Sequence, residues 1–275
     1  AVAADLDGNG FAELVVAVID GGCVRVRSYG VTAINQPRAL TGPLIVSPCL
    51  DTAAEMAPYH HGGALAVAAG GLFDGTDGPN AQQVVVGWEG RSSQSLAVCL
   101  TILDGFSLNP VGQQCTPVQS FDPTSQLRGL GLTTGDFNGS GPSQVAYAWV
   151  DPQGHLFVNL WRYAPGTTSR VTTPYAITGY QSFAVSLAAG DLDGNGVDEL
   201  VAATIDIYGT SIFSFWLTTD LSGTTKVTNT TNPGGYGGQG ANWIAVAVGE
   251  FTPPAQGNLR ATTGSIVYAV LNPPS

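Results

Sequence analysis

Charge is what this chain has least of. Only 11% of its 275 residues are Asp, Glu, Lys or Arg, against about 25% in an ordinary soluble domain, while apolar residues reach a normal 44%. Helical bundles keep charged side chains on their wet faces, so the shortage argues against them. It favours many short strands joined by tight turns, with Ser, Thr, Asn, Gln and 37 Gly carrying the surface. Basic residues are scarcest: 9 Lys and Arg against 20 Asp and Glu leave a formal charge of −11 and a pI near 4.3. Such a chain repels a phosphate backbone, which excludes nucleic acid as its partner. Long apolar runs are missing too. Stretches such as Leu14–Ile19 fall far short of the 18 or more residues that a membrane-spanning helix needs, so no membrane span is expected. Also lacking are a G-x-S-x-G elbow, an H-E-x-x-H helix, a phosphate-cradling loop and any C-x-x-C zinc spacing. A glycosidase would need two carboxylates facing each other across a cleft, which repeat-related acids on separate hairpins do not supply. The chain is therefore expected not to be an enzyme.

What is present is a repeat. An apolar, small-residue run leads into an acidic or Gly-rich loop and then into a second apolar run, five times over. The copies start at Ala1, Leu65, Leu130, Val185 and Ile244. Taking the first loop position as anchor gives Asp5, Gly71, Asp136, Asp191 and Glu250, spaced 66, 65, 55 and 59 residues apart. A period of this length is too long for a two-helix repeat and suits a four-stranded propeller blade, so the expected fold is an all-β propeller of four-stranded blades. The blades are placed at residues 1–63, 64–128, 129–183, 184–242 and 243–275, about four and a half in all. The first two strands of each unit are nearly continuous in Val, Ala and Leu, as strands buried on both faces should be. Third strands are expected at His155–Tyr163 and Ser211–Leu217, and fourth strands at Arg170–Ile177 and Thr225–Thr230. Trp161 and Trp216 lie 25 residues after their anchors, and Trp88 and Trp149 coincide once a four-residue insertion is removed. Aromatics recurring in this way are expected to pack between blades. The sequence opens inside a repeat unit without Met or leader, so a trimmed N-terminus is expected. The last unit stops after its second strand, so further blades, or another chain completing that edge, are expected.

The chemistry is concentrated in two loops, Asp5-Leu6-Asp7-Gly8-Asn9-Gly10-Phe11-Ala12-Glu13 and Asp191-Leu192-Asp193-Gly194-Asn195-Gly196-Val197-Asp198-Glu199. Oxygen side chains at positions 1, 3 and 5 of a tight loop converge, Gly at 6 permits the bend, and position 7 offers its carbonyl, which is how Ca²⁺ is wrapped. The closing carboxylate comes at position 9 rather than 12, and a strand follows instead of a helix, which places the loop in a β-hairpin. In this the five units resemble FG-GAP/VCBS repeats, the blades of integrin α-subunit propellers and of secreted propeller proteins that include Ca²⁺-dependent lectins. The resemblance implies Ca²⁺ in hairpin loops between the two innermost strands of certain blades. Carried over by position, it implies as ligands the side chains of Asp5, Asp7, Asn9 and Glu13 with the carbonyl of Phe11. The second set is Asp191, Asp193, Asn195 and Glu199 with the carbonyl of Val197. The third loop keeps Asp136, Asn138 and Ser140 but has Pro142 at position 7 and neutral Gln144 at 9, so any binding there is weaker. The second unit has Gly71 at position 1 with Asp74 and Asp77 at wrong spacing, and the fifth, Glu250–Pro254, has lost the motif.

Four cysteines, Cys23, Cys49, Cys99 and Cys115, fall two to a unit at comparable places. This favours Cys23 with Cys49 and Cys99 with Cys115, although three pairings remain open on sequence alone. Disulfides and a Ca²⁺ requirement both point to a secreted or cell-surface protein. Sequons lie at Asn138, where a glycan would compete with metal ligation, and at Asn229 on an expected outer strand. His60 and His61 lie in an expected linker and read as solvent-facing. Together these features lead us to expect an extracellular recognition or adhesion module that binds a glycan or a protein. It would present irregular segments such as Thr32–Met56 and Asn232–Asn242 on a Ca²⁺-stiffened scaffold. Two alternatives are self-assembly through the unfinished last blade into a surface layer or filament, and a propeller appendage of a larger secreted enzyme.

Overall fold

In the computed structural model, the residues described are 1–30, 45–51, 60–73, 81–91, 95–118, 125–163, 170–171, 175–177, 181–206, 209–215, 228–231, 243–249 and 265–271. Among them every regular element is a β-strand, and no helix is long and apolar enough to cross a membrane. The second-unit residues Asp74 and Asp77, the fifth-unit loop Glu250–Pro254, Trp216, the segment Asn232–Asn242 and most of Thr32–Met56 lie outside the described residues.

Among the described residues the strands form five antiparallel sheets, each laid down in chain order from one edge. The first contains β1 (Val2–Ala4), β2 (Glu13–Asp20), β3 (Cys23–Tyr29) and β4 (Ile45–Val46). The second contains β5 (His60–Gly70), β6 (Gln83–Arg91), β7 (Leu96–Leu103) and β8 (Pro110–Val118). In the third, β9 (Gly129–Gly135), β10 (Gln144–Val150) and β11 (Leu156–Arg162) are followed by β12 (Arg170–Val171) and β13 (Tyr175–Ile177), both paired to β11. The fourth runs through β14 (Ser182–Gly190), β15 (Glu199–Asp206), β16 (Gly209–Phe215) and β17 (Thr228–Thr231). The fifth pairs β18 (Trp243–Gly249) with β19 (Ser265–Leu271).

These sheets divide between two compact units. The first unit holds the chain to Leu130 together with Tyr163. Its core joins two sheets: Ala4, Val15, Val24 and Val26 of the first meet Val84, Val86, Trp88, Ala97 and Leu103 of the second. The second unit holds the remaining strands from Gly131 onward. There the alternation of β15 covers the fourth sheet on both faces. Leu200 and Ala202 join Ala146, Ala148, Leu156 and Val158 of the third sheet, while Val201 and Ala203 meet Ile244, Val246 and Val248 of β18. Each fully buried Val or Leu contributes about 1.5–3 kcal/mol, so sheet-on-sheet stacking is the main source of cohesion in both units. The approach is close: a Cβ on Gly190 would lie 2.5 Å from Val248 Cγ1, so any larger residue there would force Val248 to shift.

Three details differ from the sequence reading. The strands buried along nearly their whole length are the second strands β6, β10 and β15 and also β7, whereas β2, β5 and β9 stay half-exposed. First strands lie at a sheet edge with a neighbour on one side only, so composition overstated their burial. His60 and His61 are not in a linker; they open β5, opposite Arg91 and Gly90, with a register shift before Leu65. The Gly62-Gly63 pair falls within this irregularity. The expected third strand His155–Tyr163 loses its ends, because His155 turns back to Asp151, whose Oδ2 lies 3.0 Å from its Nδ1. Trp88, Trp149 and Trp161 are buried, Trp149 stacking on Tyr147 and Phe157.

The cysteines form two disulfides, Cys23–Cys49 and Cys99–Cys115. The second joins residues directly opposite on β7 and β8.

Candidate metal-binding loops

Among the described residues two loops gather carboxylates. Between β1 and β2, one oxygen each from Asp5, Asp7 and Glu13 lies within 4.8 Å of the others, and between β14 and β15 Asp191, Asp193 and Glu199 do the same. The backbone explains why. Gly8 and Gly10 take φ of 72° and 86°, and Gly194 and Gly196 take 79° and 83°, values that fold the loop back on itself and suit glycine. Asp5 then accepts the Asn9 N–H through Oδ1 at 3.1 Å and the Gly10 N–H through Oδ2 at 2.8 Å. Asp191 repeats this with Asn195 at 3.1 Å and Gly196 at 2.8 Å, and adds Gly194 at 2.7 Å. The closing glutamates are the first residues of β2 and β15, and their Oε2 atoms accept the amides of Leu6 at 2.9 Å and Leu192 at 2.6 Å. Strand register thus fixes one carboxylate and the turn fixes the other two.

The crowding has an electrostatic signature. Backbone N–H donors, Gly196 foremost, hold the Asp191 carboxyl below its ordinary range. Glu199 is pushed up, first by burial and then by the negative charge of Asp193 and Asp191. A cation among these oxygens would relieve both the desolvation and the repulsion. The donors are all hard oxygens, without imidazole or thiolate, and this set fits Ca²⁺ or a similar hard dication rather than Zn²⁺. Cys23, Cys49 and Asp51 also cluster, but both sulfurs are committed to the disulfide.

Of the other ligands that the resemblance implies, Asn9 and Asn195 tighten the turn: their Oδ1 atoms accept the amides of Phe11 at 2.8 Å and Val197 at 2.7 Å. The Phe11 side chain is exposed. In the third loop Asp136 is tied in the same way, accepting Ser140 N–H at 3.0 Å and Gly141 N–H at 2.8 Å. Its closing residue behaves differently, because Gln144 Nε2 donates to the Pro142 carbonyl at 2.5 Å and to Asn138 Oδ1 at 3.1 Å. In the second unit Gln83 takes the place of the closing glutamate and accepts Leu72 N–H at 2.8 Å. Asn229 lies on β17.

One feature escaped the sequence reading. Asp198 was assigned with Glu199 to its own loop, yet its Oδ2 accepts the Asp136 N–H at 2.8 Å, and its own N–H donates to the Asp136 carbonyl at 3.0 Å. In the first unit Gln82 makes the same reciprocal pair with Asp5, at 3.1 Å and 3.0 Å. Position 8 of one loop therefore clasps position 1 of the preceding loop. The available signal was the polar doublet Gln82-Gln83 and Asp198-Glu199 at the mouth of the second strand, since alternation turns two neighbouring side chains to opposite sides. Compared with protein-family models, curated proteins and solved structures, the chain matches none.

Proposed function

We propose that the chain is a non-enzymatic, extracellular recognition module built as a β-propeller, in which two Ca²⁺ ions stiffen hairpin loops and variable segments bind a glycan or a protein. The observation that carries this reading is the recurrence of one carboxylate trio, with one hydrogen-bonding scheme, at the same place in two separate sheets. Solvated acidic turns would have no reason to share a closing glutamate turned to the amide of residue 2, and at Glu199, which is buried, that placement costs energy. Two dications add four charges and move the net charge from −11 to −7. In this reading Asp5, Asp7, Asn9 and Glu13 hold one ion and Asp191, Asp193, Asn195 and Glu199 the other, with the carbonyls of Phe11 and Val197. The ions shape the scaffold and take no part in a reaction. Their affinity is expected near 10⁻⁴ to 10⁻³ M, the order found for extracellular modules. The two disulfides support an extracellular setting.

The ligand class is tested on glycan and receptor arrays with Ca²⁺ and with EDTA. Binding that is lost in EDTA is the expected result, and uniform silence under both conditions would overturn recognition as the function.

A further inference from the structure

We infer that Gln144 takes the place of a cation in the third loop, so that this loop closes without metal and residue 144 decides whether it takes an ion. The inference rests on the calcium reading of the loops at Asp5 and Asp191. In those loops position 9 is a glutamate whose Oε2 is turned to the amide of residue 2, and the loop interior is left with three carboxylates and no positive group. In the third loop position 9 presents a nitrogen. Its two hydrogens join Asn138 Oδ1 and the Pro142 carbonyl, the position-3 and position-7 oxygens that a metal would draw together.

Three observations make this a substitution for the ion rather than a vacancy waiting for one. Asn138 Oδ1 already accepts from Ser140 N–H at 3.1 Å, Ser140 Oγ at 2.6 Å and Gln144 Nε2 at 3.1 Å, so no lone pair is left for a cation. Gln144 is 2% exposed, so its own end of the two bonds it donates is shielded from water. The opposite end of the amide, Oε1, is buried without a hydrogen-bond partner, so the residue is held here by its donor end. Turning the amide over would set Oε1 against two acceptors, which is repulsive unless a cation lies between them. The same reasoning says what one change does. In Gln144→Glu the donor becomes a second carboxylate beside Asp136, and the loop regains one of the two charges it lacks against the loops at Asp5 and Asp191, together with an acceptor at position 9.

The test is hydrogen exchange of the amides of Ser140 and Gly141 in wild type and Gln144→Glu, each in EDTA and in millimolar Ca²⁺, with bound Ca²⁺ counted in parallel. Wild type should protect these amides equally in both media. Gln144→Glu should exchange them about tenfold faster in EDTA, as the loss of a hydrogen bond of ordinary strength implies. Added Ca²⁺ should then restore their protection, with one ion more per chain than wild type. Wild-type protection that depends on Ca²⁺, or a variant protected like wild type in EDTA, overturns the inference. If the loops at Asp5 and Asp191 show no response to Ca²⁺, the calcium reading fails while the EDTA comparison still decides the role of Gln144. Should Gln144→Glu not fold in EDTA, Gln144→Met removes the donor without adding charge. It should show the same faster exchange, and unchanged protection would overturn the inference.

Discussion

Neutralising Asp193 separates metal binding from turn chemistry, because this side chain contributes almost nothing to the turn. Its Oδ1 accepts only the Asn195 N–H at 3.1 Å, and the same amide is also served by Asp191 Oδ1 at 3.1 Å. In EDTA, Asp193→Asn should therefore stay within about 0.5 kcal/mol of wild type, as exposed substitutions do. The shift should be towards higher stability, since one of the charges repelling Glu199 is gone. With Ca²⁺ the sign reverses. At about 100 times Kd a bound ion stabilises the fold by about 2.7 kcal/mol, and a ~100-fold weaker site keeps only about 0.4 kcal/mol of that. The variant should then be about 2 kcal/mol less stable than wild type. At 2–4 °C per kcal/mol for a domain of this size, its Tm should lie about 4–8 °C lower in Ca²⁺ and be unchanged or slightly raised in EDTA. Calorimetry of both proteins in both media measures this. Equal shifts in the two media, or none in Ca²⁺, would refute a metal role for Asp193.

Asp198→Ala removes the acceptor for the half-buried Asp136 N–H and should cost about 1–2 kcal/mol in chemical denaturation without changing the number of ions bound, since its carboxylate faces the neighbouring loop. Acid should weaken Ca²⁺ binding at the Asp191 loop, and the onset should lie above the ordinary glutamate value of 4.5, because Glu199 is raised and must release its proton to ligate. Without metal the raised Glu199 acts in reverse: its burial is uncharged and harmless below 4.5 and erodes stability as pH rises through its folded-state value. A pH series of binding isotherms, paired with melts in EDTA, should show the two opposite slopes. Reducing Cys99–Cys115, which closes a span of 16 residues, should cost about 3 kcal/mol of unfolding free energy. Denaturation with and without reductant checks it, and a loss below about 1 kcal/mol would show that the bridge constrains little.

Much of the sheet architecture was legible because it is written in local periods. The anchors at Asp5, Asp136 and Asp191 marked the hairpin between first and second strands, and the apolar runs after them became β2, β10 and β15. The two acidic loops were legible for the same reason, since positions 1, 3 and 9 of one short segment suffice to bring three carboxylates together. What the sequence concealed depends on partners far along the chain. Asp198 reads as one more acid of its loop until the backbone of Asp136, 62 residues away, is placed beside it. Gln144 reads as a lost ligand, because composition reports the missing charge but not the amide nitrogen standing between two oxygens. His60 and His61 read as linker because the residues that pair them into β5, Arg91 and Gly90, lie far along the chain.

The decisive measurement is anomalous diffraction from crystals grown in Ca²⁺. Peaks should appear at two positions, one among Asp5, Asp7 and Glu13 and one among Asp191, Asp193 and Glu199, with none beside Gln144. Empty loops at saturating Ca²⁺, or ions bound only elsewhere, would contradict a scaffold stiffened by calcium.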